Sequence, residues 1–336
     1  MKHSNVAIFV PHNGCPMQCT FCNQRGITGQ KNVVTPSDVK AAAETAIKTY
    51  DNPQEAEIAF FGGSFTGIDP DYMESLLSAA YSYVSKGYFK GIRISTRPDY
   101  INVPILSTLK RYGVTSIELG AQSMDDEVLI ANRRGHTSKQ VEFASKLISN
   151  SGFSLGLQMM TGMYKSTVKK DIETAKRLAI LKPETMRIYP TIVLKQTELS
   201  ALYQSGRYTP PTLDDTLTLC AELLDFFNNM NIRVIRLGLH DSESLKNDYV
   251  AGPYHPAFRE LCESRLFLNK FLSYLNHLTT KSSTNTYTVE VALTRLSKAI
   301  GQKKGNIALL RQKGINVSII PNSKLKEDQI KIIPIE

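Results

Sequence analysis

Three cysteines, Cys15, Cys19 and Cys22, stand in the run Pro11-His12-Asn13-Gly14-Cys15-Pro16-Met17-Gln18-Cys19-Thr20-Phe21-Cys22-Asn23, a Cys-x-x-x-Cys-x-x-Cys spacing. Thiolates this close cannot bridge one another tidily, but one tight loop can turn all three toward a metal centre. Three ligands leave one metal corner free. That suits an iron–sulfur cluster that binds a substrate, whereas a structural zinc site closes with a fourth ligand. The competing reading is zinc completed by His12 or His3. Cys220 and Cys262 fall on apolar helical patterns and are expected in the core. No apolar run approaches the roughly 20 residues a membrane helix needs. The N-terminal apolar stretch lacks a cleavable small-residue site and reads as a buried strand. A cytoplasmic protein that does not enter membranes is expected, in a compartment where clustered thiols favour metal over disulfide.

The cysteine loop needs elements to hold it. Short apolar runs at Val6–Val10, Glu57–Phe61, Gly91–Ser95, Ser116–Leu119, Ser154–Gln158, Thr185–Tyr189 and Arg233–Ile235 alternate with amphipathic segments. One helix starts at Thr35-Pro36-Ser37-Asp38, with Thr capping and Pro in the first turn. Others are expected through 70–86, 102–112, 138–150, 167–181 and 214–230. Strand–helix alternation means a parallel sheet. The count of units before residue 200 suits a partial (β/α)6-type barrel better than a short doubly wound sheet. Either way the chemistry belongs at the C-terminal ends of the strands. The cysteine loop follows the first strand, Phe60-Phe61-Gly62-Gly63-Ser64 the second, Ile94-Ser95-Thr96-Arg97 the third and Gly120-Ala121-Gln122 the fourth; Gln158 ends the fifth.

With Phe21 before its last cysteine, this spacing resembles the signature of the radical S-adenosylmethionine (SAM) superfamily. The resemblance implies a 4Fe–4S cluster on Cys15, Cys19 and Cys22 with Phe21 beside it, and SAM as co-substrate. It places Gly62, Gly63 and Ser64 at the SAM amino group, where a glycine backbone can approach closely. Ser95, Gln122 and Gln158 would meet the ribose and methionine, and Arg134 of Asn132-Arg133-Arg134-Gly135-His136 the carboxylate. Reductive cleavage of SAM to methionine and a 5′-deoxyadenosyl radical is the implied chemistry.

Within the superfamily, the runs at 60–68, 117–137 and 187–208 are similar to the catalytic subunit of Elongator and its bacterial relatives, over about residues 5–260. The last of these carries Tyr189, Lys195 and Tyr208, and the resemblance implies catalytic roles for Tyr189 and Lys195. That subunit typically has a longer gap between its first two cysteines. It also carries an acetyltransferase domain, for which 336 residues leave no room, so the resemblance does not decide whether the family's acetyl-CoA-dependent carboxymethyl chemistry applies. The runner-up family is the anaerobic coproporphyrinogen oxidase group, which acts on a small molecule.

The net charge of +9 is concentrated at one end: residues 265–336 hold twelve Lys or Arg against four Asp or Glu. Such segregation marks a polyanion-facing module. A polar stretch at 279–286 reads as a linker. Beyond it a strand (Thr286–Val291), a short helix, a glycine turn, a second helix (Asn306–Lys313) and a strand (Asn316–Ile320) are expected. Gly301-Gln302-Lys303-Lys304-Gly305 resembles a degenerate KH-domain loop, which implies that Gly301, Lys303 and Lys304 clamp a nucleic-acid backbone. The bland alternative is a small α/β cap or dimerisation unit.

The expected organisation is a radical SAM partial barrel over 1–260, a helical connection and linker over 261–285, and a small basic KH-like α/β domain over 286–336. The expected function is modification of an RNA nucleoside, most naturally in transfer RNA, with flavodoxin or ferredoxin as electron donor. An enzyme for a small metabolite and a non-catalytic zinc and RNA-binding protein are the competing classes.

Overall fold

The structure is a computed structural model that describes residues 5–10, 15, 19–23, 33–278, 284–326 and 329–335. His3, His12 and residues 279–283 of the expected linker lie outside the described residues.

The chain runs β1 (Asn5–Val10), α1 (Pro36–Thr49), β2 (Glu57–Gly62), α2 (Pro70–Val84), β3 (Gly91–Thr96), α3 (Val103–Arg111), β4 (Val114–Gln122), α4 (Asp126–Ala131), α5 (Ser138–Asn150), β5 (Ser154–Thr161), α6 (Val168–Ile180) and β6 (Thr185–Pro190). It continues through β7 (Val193–Leu194), α7 (Glu198–Gln204), α8 (Leu213–Asn229), β8 (Arg233–Leu237), α9 (Glu243–Asp248), β9 (Tyr249–Ala251) and α10 (Phe258–Leu278). The last elements are β10 (Thr286–Val291), α11 (Leu296–Ile300), α12 (Gly305–Gln312), β11 (Asn316–Pro321) and β12 (Ile330–Pro334). Local signals set the helix starts. Thr35 and Asp38 form a reciprocal capping box ahead of α1, and Thr137 with Gln140 does the same ahead of α5.

Residues 1–212 and 227–254 form one compact unit. Its main sheet has seven strands in the order β1-β2-β3-β4-β5-β6-β8, all parallel. Every crossover moves one place in the same direction, and right-handed crossovers of one sense put all the helices on one face. A doubly wound sheet would reverse its strand order and cover both faces. The sheet therefore curls into the expected half-barrel with its helices outside.

Side-chain parity separates the two faces. Val6, Ile8, Val10, Ile58, Phe60, Ile92, Ile94, Ile117, Leu119, Leu155 and Leu157 are buried on the helix side. The opposite parity gives the inner face, which apart from Phe9 and Phe61 is largely polar or small: Glu57 and Ala59, Arg93 and Ser95, Ser116, Glu118 and Gly120, Gly156 and Gln158, Arg187 and Tyr189. Gly156 makes room for this layer, since a Cβ there would lie 2.9 Å from Glu118 Cγ.

Residues 213–226 and 255–336 form the second unit. Its sheet has the order β11-β10-β12, with β10 parallel to β11 and antiparallel to β12. The expected strand–helix–helix–strand order is present, and β12 adds a strand the sequence did not announce. Leu268, Phe271 and Leu275 of α10 pack on Tyr287, Val289, Val291, Ala299 and Leu310. This helix, read from sequence as a connection, is thus a core element. Cys220 and Cys262 are fully buried here, and their mutual hydrogen bond, then burial, raises the Cys262 thiol pKa. Among the described residues no helix is long and apolar enough to cross a membrane.

Candidate active site

The cysteine segment leaves β1 at the same end of the sheet as the glycine pair. Gly62 pairs with Val10 and takes φ +123°; a Cβ there would stand 2.2 Å from the Val10 carbonyl oxygen. Only glycine lets β2 turn this close to the strand that feeds the cysteines. The backbone demand of the pair thus falls on Gly62. Ser64 is buried; its hydroxyl bonds with Thr96 Oγ1 at 2.8 Å and accepts from the Arg97 amide at 3.3 Å. It ties the turn after β2 to the end of β3.

The last part of the cysteine segment is held from two sides. Thr20 Oγ1 donates to Asn132 Oδ1 at 2.9 Å, and the Thr20 carbonyl accepts from the Leu199 amide at 2.8 Å. Phe21 packs against Val193, Leu199, Leu202 and Tyr208. It is an anchor for the segment in a neighbouring apolar cluster.

Two arginines converge on the cysteines. Burial pushes the Cys15 thiol up, partly offset by the Arg97 and Arg134 guanidiniums beside it. Arg134 Nη1 donates to Cys19 Sγ at 3.2 Å and Nη2 to the Gly120 carbonyl at 2.8 Å. Arg97 is clamped by Asp99 at 2.9 and 2.8 Å and donates to the Arg134 carbonyl at 2.6 Å. Gln122 takes φ +65° where the β4–β5 register shifts, which turns its amide out of the strand pattern. His136 Nε2 meets the Ala121 carbonyl at 3.2 Å; a carbonyl only accepts, so Nε2 carries the proton and Nδ1 a bare lone pair. Burial first, then the Arg134 charge, lowers the His136 pKa to about 4, so the ring is neutral.

Below this rim lies an ion lattice on the inner face. Arg93 pairs with Glu57 at 2.7 Å and Glu118 at 3.0 Å, and Arg187 grips Glu118 at 2.5 and 3.0 Å. Burial alone would raise the Glu57 carboxyl, but Arg93 and the Ser116 and Thr115 hydroxyls hold it below the ordinary range. Ser95 and Gln158 reach Glu118 only through long contacts of 3.5 and 3.4 Å. Tyr189 lies within reach of Arg187. Arg187 in turn stacks 4.9 Å from the centre of Phe61, itself 6.1 Å from the exposed Phe9.

The structure therefore brings Cys15, Cys19, Gln122 and Arg134 together at the strand ends, with Ser95, Gln158 and Tyr189 on the floor beneath. Lys195 is placed differently. Its side chain is exposed with Nζ 2.8 Å from the Asn247 carbonyl, and its own carbonyl accepts from Asn23. Tyr208 is a core residue whose hydroxyl donates to the Gly162 carbonyl at 2.7 Å. Sequence reasoning missed Glu57, Arg93, Glu118 and Arg187 as a group. Their signal was charges at alternate positions of otherwise apolar strands. It also missed Arg97 and His136, which lie inside motifs quoted for other residues.

Among the described residues, no three His, Cys, Asp or Glu side chains close on one point as ligands of a single ion would. A cubane differs, because each of its cysteines binds a different iron. The fit to a cluster with SAM rests on other observations. Arg97 Nη1, Arg134 Nε, Gln122 Oε1 and His136 Nδ1 are all buried without a partner. Two donors and two acceptors left open beside the Cys15 and Cys19 thiols match a ligand bearing both a carboxylate and an ammonium group.

Comparison with known proteins agrees. The model of the radical SAM superfamily matches residues 9–178, and that of the radical SAM C-terminal domain matches 183–267. Elongator complex protein 3 of Homo sapiens is 30% identical over 190 residues, covering 51% of this chain and 35% of that protein. The tRNA uridine(34) acetyltransferase of Methanocaldococcus jannaschii is 28% identical over 191 residues, with 51% and 35% covered. The chain thus spans about a third of the length of these curated relatives. The solved structure of archaeal Methanocaldococcus infernus Elp3, lacking its first 46 residues, shares the fold with TM-score 0.63 and 20% identity, over 82% of this chain and 64% of that one. The superfamily match takes in half of the chain, from the strand that feeds the cysteines through β5 and into α6, and so the chain belongs to the radical SAM superfamily, whose enzymes work with a 4Fe–4S cluster and SAM.

Proposed function

We propose that this enzyme cleaves SAM reductively in order to modify a nucleoside of transfer RNA, with Cys15, Cys19 and Cys22 as the cluster ligands. The observation that carries the site is the group of unpartnered polar atoms on Arg97, Gln122, Arg134 and His136 beside Cys15 and Cys19. When bound, the cluster supplies the electron that splits SAM into methionine and a 5′-deoxyadenosyl radical.

The chain's own residues do the positioning. Gly62 and Gly63 leave the backbone open at the SAM amino end, and Ser64 holds that turn against β3. Gln122 and the neutral His136 offer acceptors to an ammonium group, while Arg97 and Arg134 offer donors to a carboxylate. The helices outside and the ion lattice beneath close the site from below, which keeps water from a reactive radical. Exposed Phe9, with Phe61 and the partly buried Arg187 behind it, forms an aromatic and cationic wall on which a planar base could stack.

Two further observations support RNA as the substrate. The relatives include a protein named for tRNA uridine(34) acetylation. In the second unit Lys298 and Lys331 are paired with Glu263 and Glu290, whereas Lys303, Lys304, Arg311 and Lys313 have no carboxylate partner among the described residues. Lys303 and Lys304 sit at φ +51° and +61° in a turn that Gly301 opens at φ +78°. This displays two cations side by side, as a phosphate-facing loop requires.

The test is anaerobic reconstitution. Wild-type protein should take up about four irons and release 5′-deoxyadenosine from SAM when reduced. Cys15→Ala, Cys19→Ala and Cys22→Ala should each lose both, while Cys220→Ala and Cys262→Ala keep them. Full SAM cleavage by any of the first three variants removes the assignment.

A further inference from the structure

Arg134 is committed before any ligand arrives. It is 7% exposed, Nη1 donates to Cys19 Sγ and Nη2 to the Gly120 carbonyl, and Nε has no partner among the described residues. Its backbone is fixed from behind, because its carbonyl accepts Arg97 Nη2 and Asp99 holds Arg97 in turn. Asp99 neutralises Arg97. No carboxylate among the described residues does the same for Arg134. A buried guanidinium without an anion is costly, and a neutral thiol does not offset it. A metal-bound thiolate does.

We infer that Arg134 is a permanent hydrogen-bond donor to the Cys19 thiolate and thereby raises the reduction potential of the cluster that Cys19 holds. The inference rests on the cluster assignment above. Reduction adds negative charge to the iron–sulfur core, and hydrogen bonds and positive charge at its sulfurs stabilise the reduced form more than the oxidised one. Arg134 is on this account a positioning and tuning residue acting through Cys19. Sequence likeness put it on the SAM carboxylate, a role left to Nε and the second N–H of each Nη.

The experiment uses the reconstituted holoenzyme as wild type, Arg134→Met, Arg134→Gln and Arg134→Lys. Each is checked for iron content, titrated against redox mediators with the reduced cluster followed by electron paramagnetic resonance, and assayed for SAM binding in the oxidised state. Arg134→Met should shift the one-electron reduction equilibrium at least tenfold toward the oxidised cluster, about 59 mV more negative. Arg134→Lys, which keeps the charge and a donor, should recover most of the shift, with Arg134→Gln between them. SAM affinity should fall by a similar factor, less than tenfold, in all three variants, because each removes the Nε donor, whereas their potentials should differ. Equal potentials for wild type and Arg134→Met overturn the inference. So does a fall of tenfold or more in SAM affinity at constant potential, which would make Arg134 the carboxylate clamp. If Arg134→Met fails to hold iron, the Arg134→Lys and Arg134→Gln pair decides, and equal potentials for these two and wild type overturn it. A wild-type protein that takes up no cluster overturns the reading on which the inference rests.

Discussion

Replacing Gly62 by alanine tests the tightest joint between the sheet and the cysteine segment. An added Cβ would lie 2.2 Å from the Val10 oxygen, where ordinary contact begins at 3.4 Å, so β1 and β2 must separate by about 1.2 Å. The neighbour is backbone, so no side-chain rotation relieves the clash. The φ of +123° adds a second cost, about 1–3 kcal/mol for a residue with a side chain. Overpacking adds about 1–3 kcal/mol more. We expect Gly62→Ala to lose about 2–6 kcal/mol in urea denaturation of the cluster-free protein. At about 2–4 °C per kcal/mol for a unit of this size, even the middle of that range lowers Tm by roughly 8–16 °C. Gly206→Ala is the control: its φ is +71°, but nothing lies within 4 Å of its added Cβ. It should lose only about 1 kcal/mol. A Gly62→Ala loss no larger than that of Gly206→Ala refutes the reasoning, because the close approach of the two strands would then carry no energetic weight.

Three other outcomes follow from the geometry. Glu118→Gln leaves Arg93 with Glu57 alone and takes from Arg187 the carboxylate it grips, and should cost about 3–5 kcal/mol in urea denaturation; a loss below about 1 kcal/mol would mean that water enters the inner face. Burial raises the Asp171 pKa to about 6 despite bonds from Ser166 and Gly162, so its contribution is fully present below the ordinary 3.8 and lost as pH rises through 6. His136, with its pKa near 4, acts oppositely: its contribution is present above 6.5 and lost as pH falls toward 4. Asp171→Asn should therefore steepen the loss of Tm between pH 6.5 and 4, and an unchanged slope would contradict the assignment of these two groups. Lys303→Ala with Lys304→Ala should flatten the slope of log affinity for transfer RNA against log salt by about 1.4, at roughly 0.7 per phosphate contact on single strands; an identical slope would return the turn to an ordinary solvated surface.

What was legible in the sequence was local. Three thiols within one loop announce a metal centre wherever the loop sits, because the ligands are covalently neighbours. The glycine pair, the capping residue Thr35 with Asp38, and the apolar strands are likewise set by interactions a few residues long. Strand–helix alternation made a parallel sheet the expectation, since a parallel strand must be followed by a crossover, and the number of units favoured a partial barrel over a short doubly wound sheet.

Tertiary structure alone decided the partners. Glu57, Arg93, Glu118 and Arg187 lie on four different strands, and Glu118 meets Arg187 across 69 positions of sequence. Their alternation along each strand was readable; which charge would neutralise which was not. A buried charge is tolerated only beside its partner, and that partner is chosen by strand register. Arg134 shows the same limit. Its neighbours in sequence suggest a ligand clamp, but packing brings its guanidinium onto Cys19, 115 positions away. Lys195 goes the other way, drawn to the Asn247 carbonyl by the pairing of β7 with β9. The α10 helix joins the second core because Leu268, Phe271 and Leu275 share one face, and only β10 shows what that face covers. Sequence sets which residues can do chemistry. The distances that let them act are set by strands and helices far apart along the chain, whose burial together is favourable only in the complete fold.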